Sequence, residues 1–595
     1  MNNIILLKKA HVFSVCLFAV IICSCKKPAA NVPVQEPIET LSLTYQQDID
    51  SCVAYLEKLK EIKTTNLSIE NYIQARNYFK KTEAVLAFAD AENYKTLNQP
   101  NLLKVEEEDA TDIKIIKPFG FQVIEELIHE DSLDLNYLNQ IIKKTQNRLV
   151  LIKNNARLQF KDYHVLWLIR DEINRIALTG VTGFDSPVLE RSLDEAIINY
   201  ESIQNILNIY ASYFQSEALL NMWQKEIESS INMLKTDFGT FDRFDFIKNH
   251  THKQLELILE TKTDWNVEFP YALAFNNNLK SLFSKNTFNL SYFSSEQFDS
   301  LAPNKINLGE KLFYEKALSK DNSISCASCH LPEKHFTDGK KISDKVTRNS
   351  PTLLYAALQK GFFYDKRAGS LEGQIVAVVN NEKEFHSDLK HLEAVIKSNP
   401  DYTKDFDSTY VNGPTQENIR NAIATYIRSL VPFNSKFDNN INGLENNLTT
   451  SEKRGFNLFM GKAKCATCHF PPTFNGTVPI LYKESEMELI GVPKTTDTIN
   501  AVIDDDLGRY YVFNTKQKKH FFKTPTVRNA NKTAPYMHNG VYDTLEEVID
   551  FYNRGGGIGM GMELENQTLP ADALNLTKQD TNDLMAFIKT LDDHV

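Results

Sequence analysis

Apolar positions between about 41 and 290 recur at alternating three- and four-residue spacing, the period of one helix face. Tyr72, Ala75, Phe79, Thr82 and Leu86 form one such stripe; Ile203, Ile206, Leu207, Tyr210 and Phe214 form another. Ahead of the second stripe, Ser192-Leu193-Asp194-Glu195 has the form of a capping box, in which Ser and Glu side chains satisfy each other's backbone N–H groups. Proline and glycine are sparse here, so the pattern predicts a helical bundle over 41–295. From about 300 the texture changes and repeats itself. Leu308-Gly309-Glu310-Lys311-Leu312-Phe313 leads into Cys326-Ala327-Ser328-Cys329-His330, and Gly455-Phe456-Asn457-Leu458-Phe459 leads into Cys465-Ala466-Thr467-Cys468-His469. Downstream, Arg348-Asn349 is echoed by Arg528-Asn529, and Ser370-Leu371-Glu372 by Thr544-Leu545-Glu546-Glu547. Two duplicated units, 300–445 and 446–595, are the simplest account. The predicted fold class is mainly α, in three domains, as 595 residues are too many for one core.

The first residues read as an address. Lys8 and Lys9 precede an apolar run from Val12 to Ile22, broken by Ser14, which is short for a membrane span and suits a signal peptide over 1–24. The run ends in Ile22-Cys23-Ser24-Cys25. A lipobox wants an aliphatic residue three before the cysteine and a small one just before it, which Cys25 has in Ile22 and Ser24, whereas bulky Ile22 directly precedes Cys23. The expectation is a lipoprotein acylated at Cys25, membrane-anchored and periplasm-facing, with 25–40 as a proline-containing tether.

Charge and cysteines narrow the chemistry. A net charge of -11 argues against a nucleic-acid partner. Of eight cysteines, Cys16 and Cys23 fall in the signal, Cys25 takes lipid, and four sit in the two C-x-x-C-H motifs. Cys52 is left over on an apolar helical face and is expected to be a small buried residue, so no disulfide is predicted. Two thiols at C-x-x-C spacing add to the two vinyl groups of one c-type haem, and the adjacent histidine ligates its iron. A redox C-x-x-C or half a zinc site would explain one copy. Two copies, each behind a similar helix and each with its histidine, point to two covalent haems with His330 and His469 as proximal ligands.

Further residues carry a family resemblance. Ile324-Ser325 runs through the first motif to Leu331-Pro332-Glu333-Lys334 and on to Phe336-Thr337-Asp338-Gly339. Arg348-Asn349-Ser350-Pro351-Thr352-Leu353, Phe363-Tyr364-Asp365-Lys366-Arg367-Ala368 and Thr533-Ala534-Pro535-Tyr536-Met537-His538-Asn539-Gly540 follow. Over about 300–595 the chain resembles the bacterial dihaem cytochrome c peroxidase and MauG family. The resemblance implies that the first haem meets peroxide and the second passes electrons. It implies Gln374 and Glu384, ten residues apart, as the groups above the first haem. Many family members close that haem with a loop histidine. Here Lys340 to Arg348 contains none, and His335 and His386 lie outside the pattern. The second haem's sixth ligand is implied at Tyr552, where peroxidases carry methionine and MauG-like proteins tyrosine; Met560 and Met562 are the alternatives. Thr544 with Glu547 is expected to cap the helix that turns Tyr552 inward.

Between the haems the family places a tryptophan and a calcium ion. Tyr364 stands at the tryptophan and Lys366 at a glycine; Asn349, Thr533 and Pro535 match the calcium set. The function implied is reduction of hydrogen peroxide to water, with electrons from a small periplasmic donor such as a monohaem cytochrome or cupredoxin. A MauG-like oxidant of a protein or small molecule, and a dihaem carrier or sensor, are the alternatives. In the first half, Gly120-Phe121-Gln122-Val123-Ile124-Glu125 weakly resembles the G-x-H-x-x-E motif of imelysin-like helical domains, with Gln122 in place of the histidine.

Overall fold

The structure, a computed structural model, describes residues 36–60, 65–107, 112–130, 132–294 and 301–595. The signal segment and Cys25 lie outside them. The described chain is mostly helical, with two short antiparallel ladders, 104–106 with 114–116 and 487–488 with 522–523. No described helix is long and apolar enough to cross a membrane.

The first half is a set of packed helices, opening with Pro37–Lys60 against Thr65–Ala89. Tyr72, Ala75, Phe79, Thr82 and Leu86 are all buried, and Cys52 is fully buried beside them, as their spacing predicts. Two expectations fail. The 104–116 ladder interrupts what reads as helix after helix, because a short pair of strands leaves no long periodic run in the sequence. Helix Ser192–Ile209 starts at Ser192 with Arg191 as its N-cap, so the capping box does not form. Glu195 is recruited instead by a buried guanidinium: Arg76 Nε and Nη2 donate to its two oxygens at 2.8 and 2.9 Å. Lys80 beside it pairs with Asp185 at 2.8 Å. Buried charges are tolerated only when paired and hydrogen-bonded in this way, and that requirement outranks a helix cap.

The imelysin-like segment is occupied by structural bonds. Gln122 Nε2 donates to the Asn98 carbonyl at 2.8 Å. The Glu125 carboxylate accepts from Tyr72 Oη, Ser186 Oγ and the backbone N–H groups of Val188 and Leu189. Gly120 is required by close approach, since a Cβ there would stand 2.3 Å from the Leu97 carbonyl oxygen. Among the described residues no cluster of His, Cys, Asp and Glu suits a metal ion.

The second half repeats itself in three dimensions. Helix Pro303–Tyr314 packs on Gln416–Ser429, and Thr450–Met460 packs on Lys578–Thr590. Gly309 and Gly455 sit at the two crossings, where a Cβ would come within 2.0 Å of the Ala422 oxygen and 1.9 Å of the Asp583 oxygen. Each Cys motif forms a 3-10 turn, Cys326–Ser328 and Cys465–Thr467. Each is followed by a left-handed residue leading into a 3-10 turn (Tyr355, Asn529), a β-bridge (Phe362 with Ala368, Tyr536 with Tyr542) and a capped helix (Ser370, Thr544). In this register Ser350-Pro351-Thr352 matches Thr524-Pro525-Thr526. The echo of Arg348-Asn349 by Arg528-Asn529 is therefore a coincidence of composition. Arg348 joins loops at the first motif, whereas Arg528 is fully buried and bidentate to Asp438 at 2.8 and 3.0 Å. Asp593 and Asp438 both approach Arg528, and the Tyr355 hydroxyl donates to Asp593, so one buried network ties both repeats to the last residues of the chain.

Candidate active site

A cavity of about 1130 Å³ opens beside the first motif, with Cys326, Cys329 and His330 in its wall. His330 Nδ1 sits 3.0 Å from the Phe336 carbonyl oxygen and 3.3 Å from Ser350 Oγ. Donating its Nδ1 proton to that carbonyl leaves Nε2 as the free lone pair, the arrangement of a metal-ligating imidazole. His469 repeats the device, with Nδ1 3.0 Å from the Pro525 carbonyl oxygen. Burial lowers both imidazoles, His469 to about 4, which favours the neutral form that a metal ligand needs. Burial pushes the four thiols the other way, Cys326 and Cys465 to about 12. Redox C-x-x-C pairs depend on a low thiol pKa, so this environment disfavours that reading of the motifs.

Gln374 and Glu384 face the same cavity as His330. Gln374 rides on helix Leu371–Asn380, which Ser370 caps by accepting from the Gly373 N–H. Glu384 lies on the turn after it, with its N–H bonded to the Asn381 carbonyl and its carboxylate accepting from Asn381 Nδ2 at 2.6 Å. Burial raises its pKa, against the pull of Asn381 and Arg367. The loop from Ser343 to Arg348 also lines the cavity and presents no imidazole. Among the lining residues neither His335 nor His386 appears. His335 takes a left-handed backbone and His386 bonds back to the Asn381 carbonyl.

Tyr364 forms part of the wall toward the second repeat. Its hydroxyl donates to Asn349 Oδ1, and its carbonyl accepts from the Lys523 N–H at 2.7 Å. Asn349 Nδ2 points at the carbonyl oxygens of Pro535 and Met537, at 3.2 and 2.8 Å. An amide's O and N are nearly indistinguishable in shape, and the flipped amide would present three oxygens to one point. Thr533 lines the same cavity, and the Met537 carbonyl joins that of Pro535 beside Asn349.

On the other side, Tyr552 packs in a small cluster with Val492, Val541, Tyr542, Phe551, Met560 and Met562. Burial raises its hydroxyl, with Cys468, Cys465 and Glu488 close enough to raise it further. Tyr552 therefore shares surroundings with the second motif. Its helix is capped as predicted: Thr544 Oγ accepts from the Glu547 N–H, and Glu547 accepts from the Thr544 N–H.

Sequence reasoning missed several residues that the fold brings in. Arg348 is bidentate to Asp506 at 2.6 and 2.9 Å and reaches Asp365 at 2.7 Å. His538 is buried on Phe522, rings 3.8 Å apart, and bonds Asp504 at 3.0 Å. The acidic run Asp504-Asp505-Asp506 could have been flagged as a partner for Arg348. Nothing in the sequence marks Lys523. It lines the cavity and is partly buried, with its ammonium on the Gln359 amide oxygen and in no ion pair among the described residues. Burial and nearby Lys366 lower it to about 7.

A family model described as di-haem cytochrome c peroxidase matches residues 303–446. The cytochrome-c peroxidase IdrP1 of Pseudomonas sp. (strain SCT) is 36% identical over 309 residues, 48% of this chain and 80% of that protein. This chain belongs to the dihaem cytochrome c peroxidase and MauG family. Cytochrome c551 peroxidase of Nitrosomonas europaea is 32% identical over 290 residues, 48% of this chain and 78% of its own. Methylamine utilization protein MauG of Methylorubrum extorquens is 30% identical over 298 residues, 49% and 79%. Membership in the dihaem peroxidase family implies two c-type haems and oxidoreductase chemistry. The residues present fit a haem at the first motif: two unpaired thiols, a neutral imidazole with a free Nε2, and the partly buried Lys523 ammonium, in no ion pair among the described residues, where a haem carries two carboxylates.

Proposed function

We propose that this chain is a dihaem c-type cytochrome peroxidase that reduces hydrogen peroxide to water, consuming two electrons and two protons for each peroxide and giving two waters. It reads as a helical bundle over 41–295 followed by cytochrome c-like units over 300–445 and 446–595. His330 and His469 would ligate the two irons, and Cys326, Cys329, Cys465 and Cys468 would attach the haems. When bound, the haem at His330 would supply the iron that takes peroxide and delivers electrons to it. The chain's own part is proton handling. Glu384 takes the proton from the inner peroxide oxygen and returns it to the outer one, which departs as water. Gln374 orients the peroxide with its amide. Tyr364 would relay electrons between the two centres, and its hydroxyl must lose its proton when oxidised. Tyr552 would be the further ligand to the second haem's iron, with Met560 and Met562 as its competitors. Asn349 with the carbonyls of Thr533 and Pro535 is the set that would hold calcium, and the Met537 carbonyl beside Asn349 would be a further donor.

The observation that carries this reading is the convergence of Gln374, Glu384 and His330 on one cavity whose loop wall, Ser343 to Arg348, lacks an imidazole. The electrons come from a small periplasmic protein, a monohaem cytochrome or a cupredoxin, and Cys25 carries the lipid that holds the chain at a membrane. Steady-state peroxide turnover with such donors tests the reading, and turnover without any dependence on a protein donor would overturn it. A second reading, oxidation of a protein or small molecule, draws support from the MauG relatives and from tyrosine at 552.

A further inference from the structure

The helical half reaches the wall between the two centres through one ion pair. Glu107 follows the strand Lys104–Glu106, and its Oε2 lies 2.9 Å from Arg509 Nε. Both side chains are nearly buried, 11% and 13% exposed. Arg509 Nη1 donates onward to the carbonyls of Asp365 and Lys366, at 2.9 and 2.7 Å. Those are the two residues after Tyr364. The same segment is held from the far side, where Lys523 N–H donates to the Tyr364 carbonyl and Lys366 Nζ to the Ser485 carbonyl at 2.7 Å. Lys366 itself has a left-handed backbone, φ 52°, which a lysine adopts only when its surroundings hold it there. A guanidinium this buried needs an anion, and Glu107 is its ion-pair partner among the described residues.

We infer that Glu107, through Arg509, is a positioning residue by which the helical half orders the segment carrying Tyr364, so that this half acts as part of the redox unit and is more than a spacer. Two further contacts tie the halves together around it. Lys95 pairs with Glu484, and the Tyr292 hydroxyl donates to the Leu481 carbonyl at 2.6 Å. The effect on the electron path rests on the reading of Tyr364 as a relay; the ordering itself does not.

The test is hydrogen exchange on the full holoprotein with Glu107→Gln and Arg509→Lys, and Asp112→Asn as a control on the exposed partner side of the hairpin. Losing one charge-assisted hydrogen bond should raise exchange in 362–368 by roughly tenfold to a hundredfold. Helix 371–380 should be unchanged, as should both segments in the control. No rise in 362–368, or an equal rise in both segments, overturns the inference. The second readout is the rate of electron redistribution between the two haems after one-electron reduction, which should fall in Glu107→Gln. If exchange rises while that rate is unchanged, the ordering role stands and Tyr364 loses its relay role.

Discussion

Glu384 sits in a half-buried position that a solvated surface carboxylate would not need, and burial and one neighbour, Asn381, act on its ionisation in opposite directions. Burial lifts its pKa above the ordinary carboxylate value of about 4.3, and the Asn381 hydrogen bond pulls it back. If the carboxylate is the proton acceptor, peroxide turnover should fall as pH drops through that raised pKa. Asn381→Ala should move the acid limb of the kcat/KM profile to higher pH, because it removes the bond that favours the charged form. Glu384→Gln should slow turnover by roughly 10²–10⁴-fold with both haem spectra unchanged. An unchanged rate would remove Glu384 from the chemistry. The Gln374–Glu384 pair was legible only through the family resemblance, whose ten-residue spacing it keeps. Lys523 was not, since a single lysine leaves no pattern in the residues around it.

At the scale of elements, the helix Leu545–Asn553 shows what local sequence can and cannot specify. Thr544 and Glu547 are free to cap each other at an exposed end, so the box forms as read. Ser192 and Glu195 have the same spacing, yet buried Arg76 takes Glu195, a long-range demand that local reading does not contain. The repeat register was hidden for the same reason: it is carried by left-handed turns and caps rather than by the Arg-Asn pair. Two predictions belong here. Tyr552→Phe should change the absorption of the His469 centre and leave that of the His330 centre intact; change at both would contradict the assignment. Gly455→Ala forces a Cβ against the Asp583 carbonyl, so the two helices must part. Overpacking of this kind costs about 1–3 kcal/mol, and thermal melting should fall accordingly with haem content preserved.

Across the whole molecule, the helical class and the two repeats were legible because helical periodicity and the C-x-x-C-H motifs are local signals. The joints between the parts were not. The Arg528–Asp438–Asp593–Tyr355 network draws on residues far apart in the chain, and the Glu107–Arg509 pair links the two halves. Asp438→Ala would strand a fully buried guanidinium and should cost about 3–5 kcal/mol in denaturant unfolding, whereas a surface pair such as Lys578 with Glu546 should cost less than about 1 kcal/mol. The parts meet in one claim: the His330 centre faces peroxide with nothing to displace first. Rapid mixing of the fully oxidised holoprotein with hydrogen peroxide measures this directly. The account predicts an immediate change in haem absorbance without prior reduction, slowed in Glu384→Gln. Silence until one electron is added, with two six-coordinate low-spin haems in the oxidised spectrum, would contradict it.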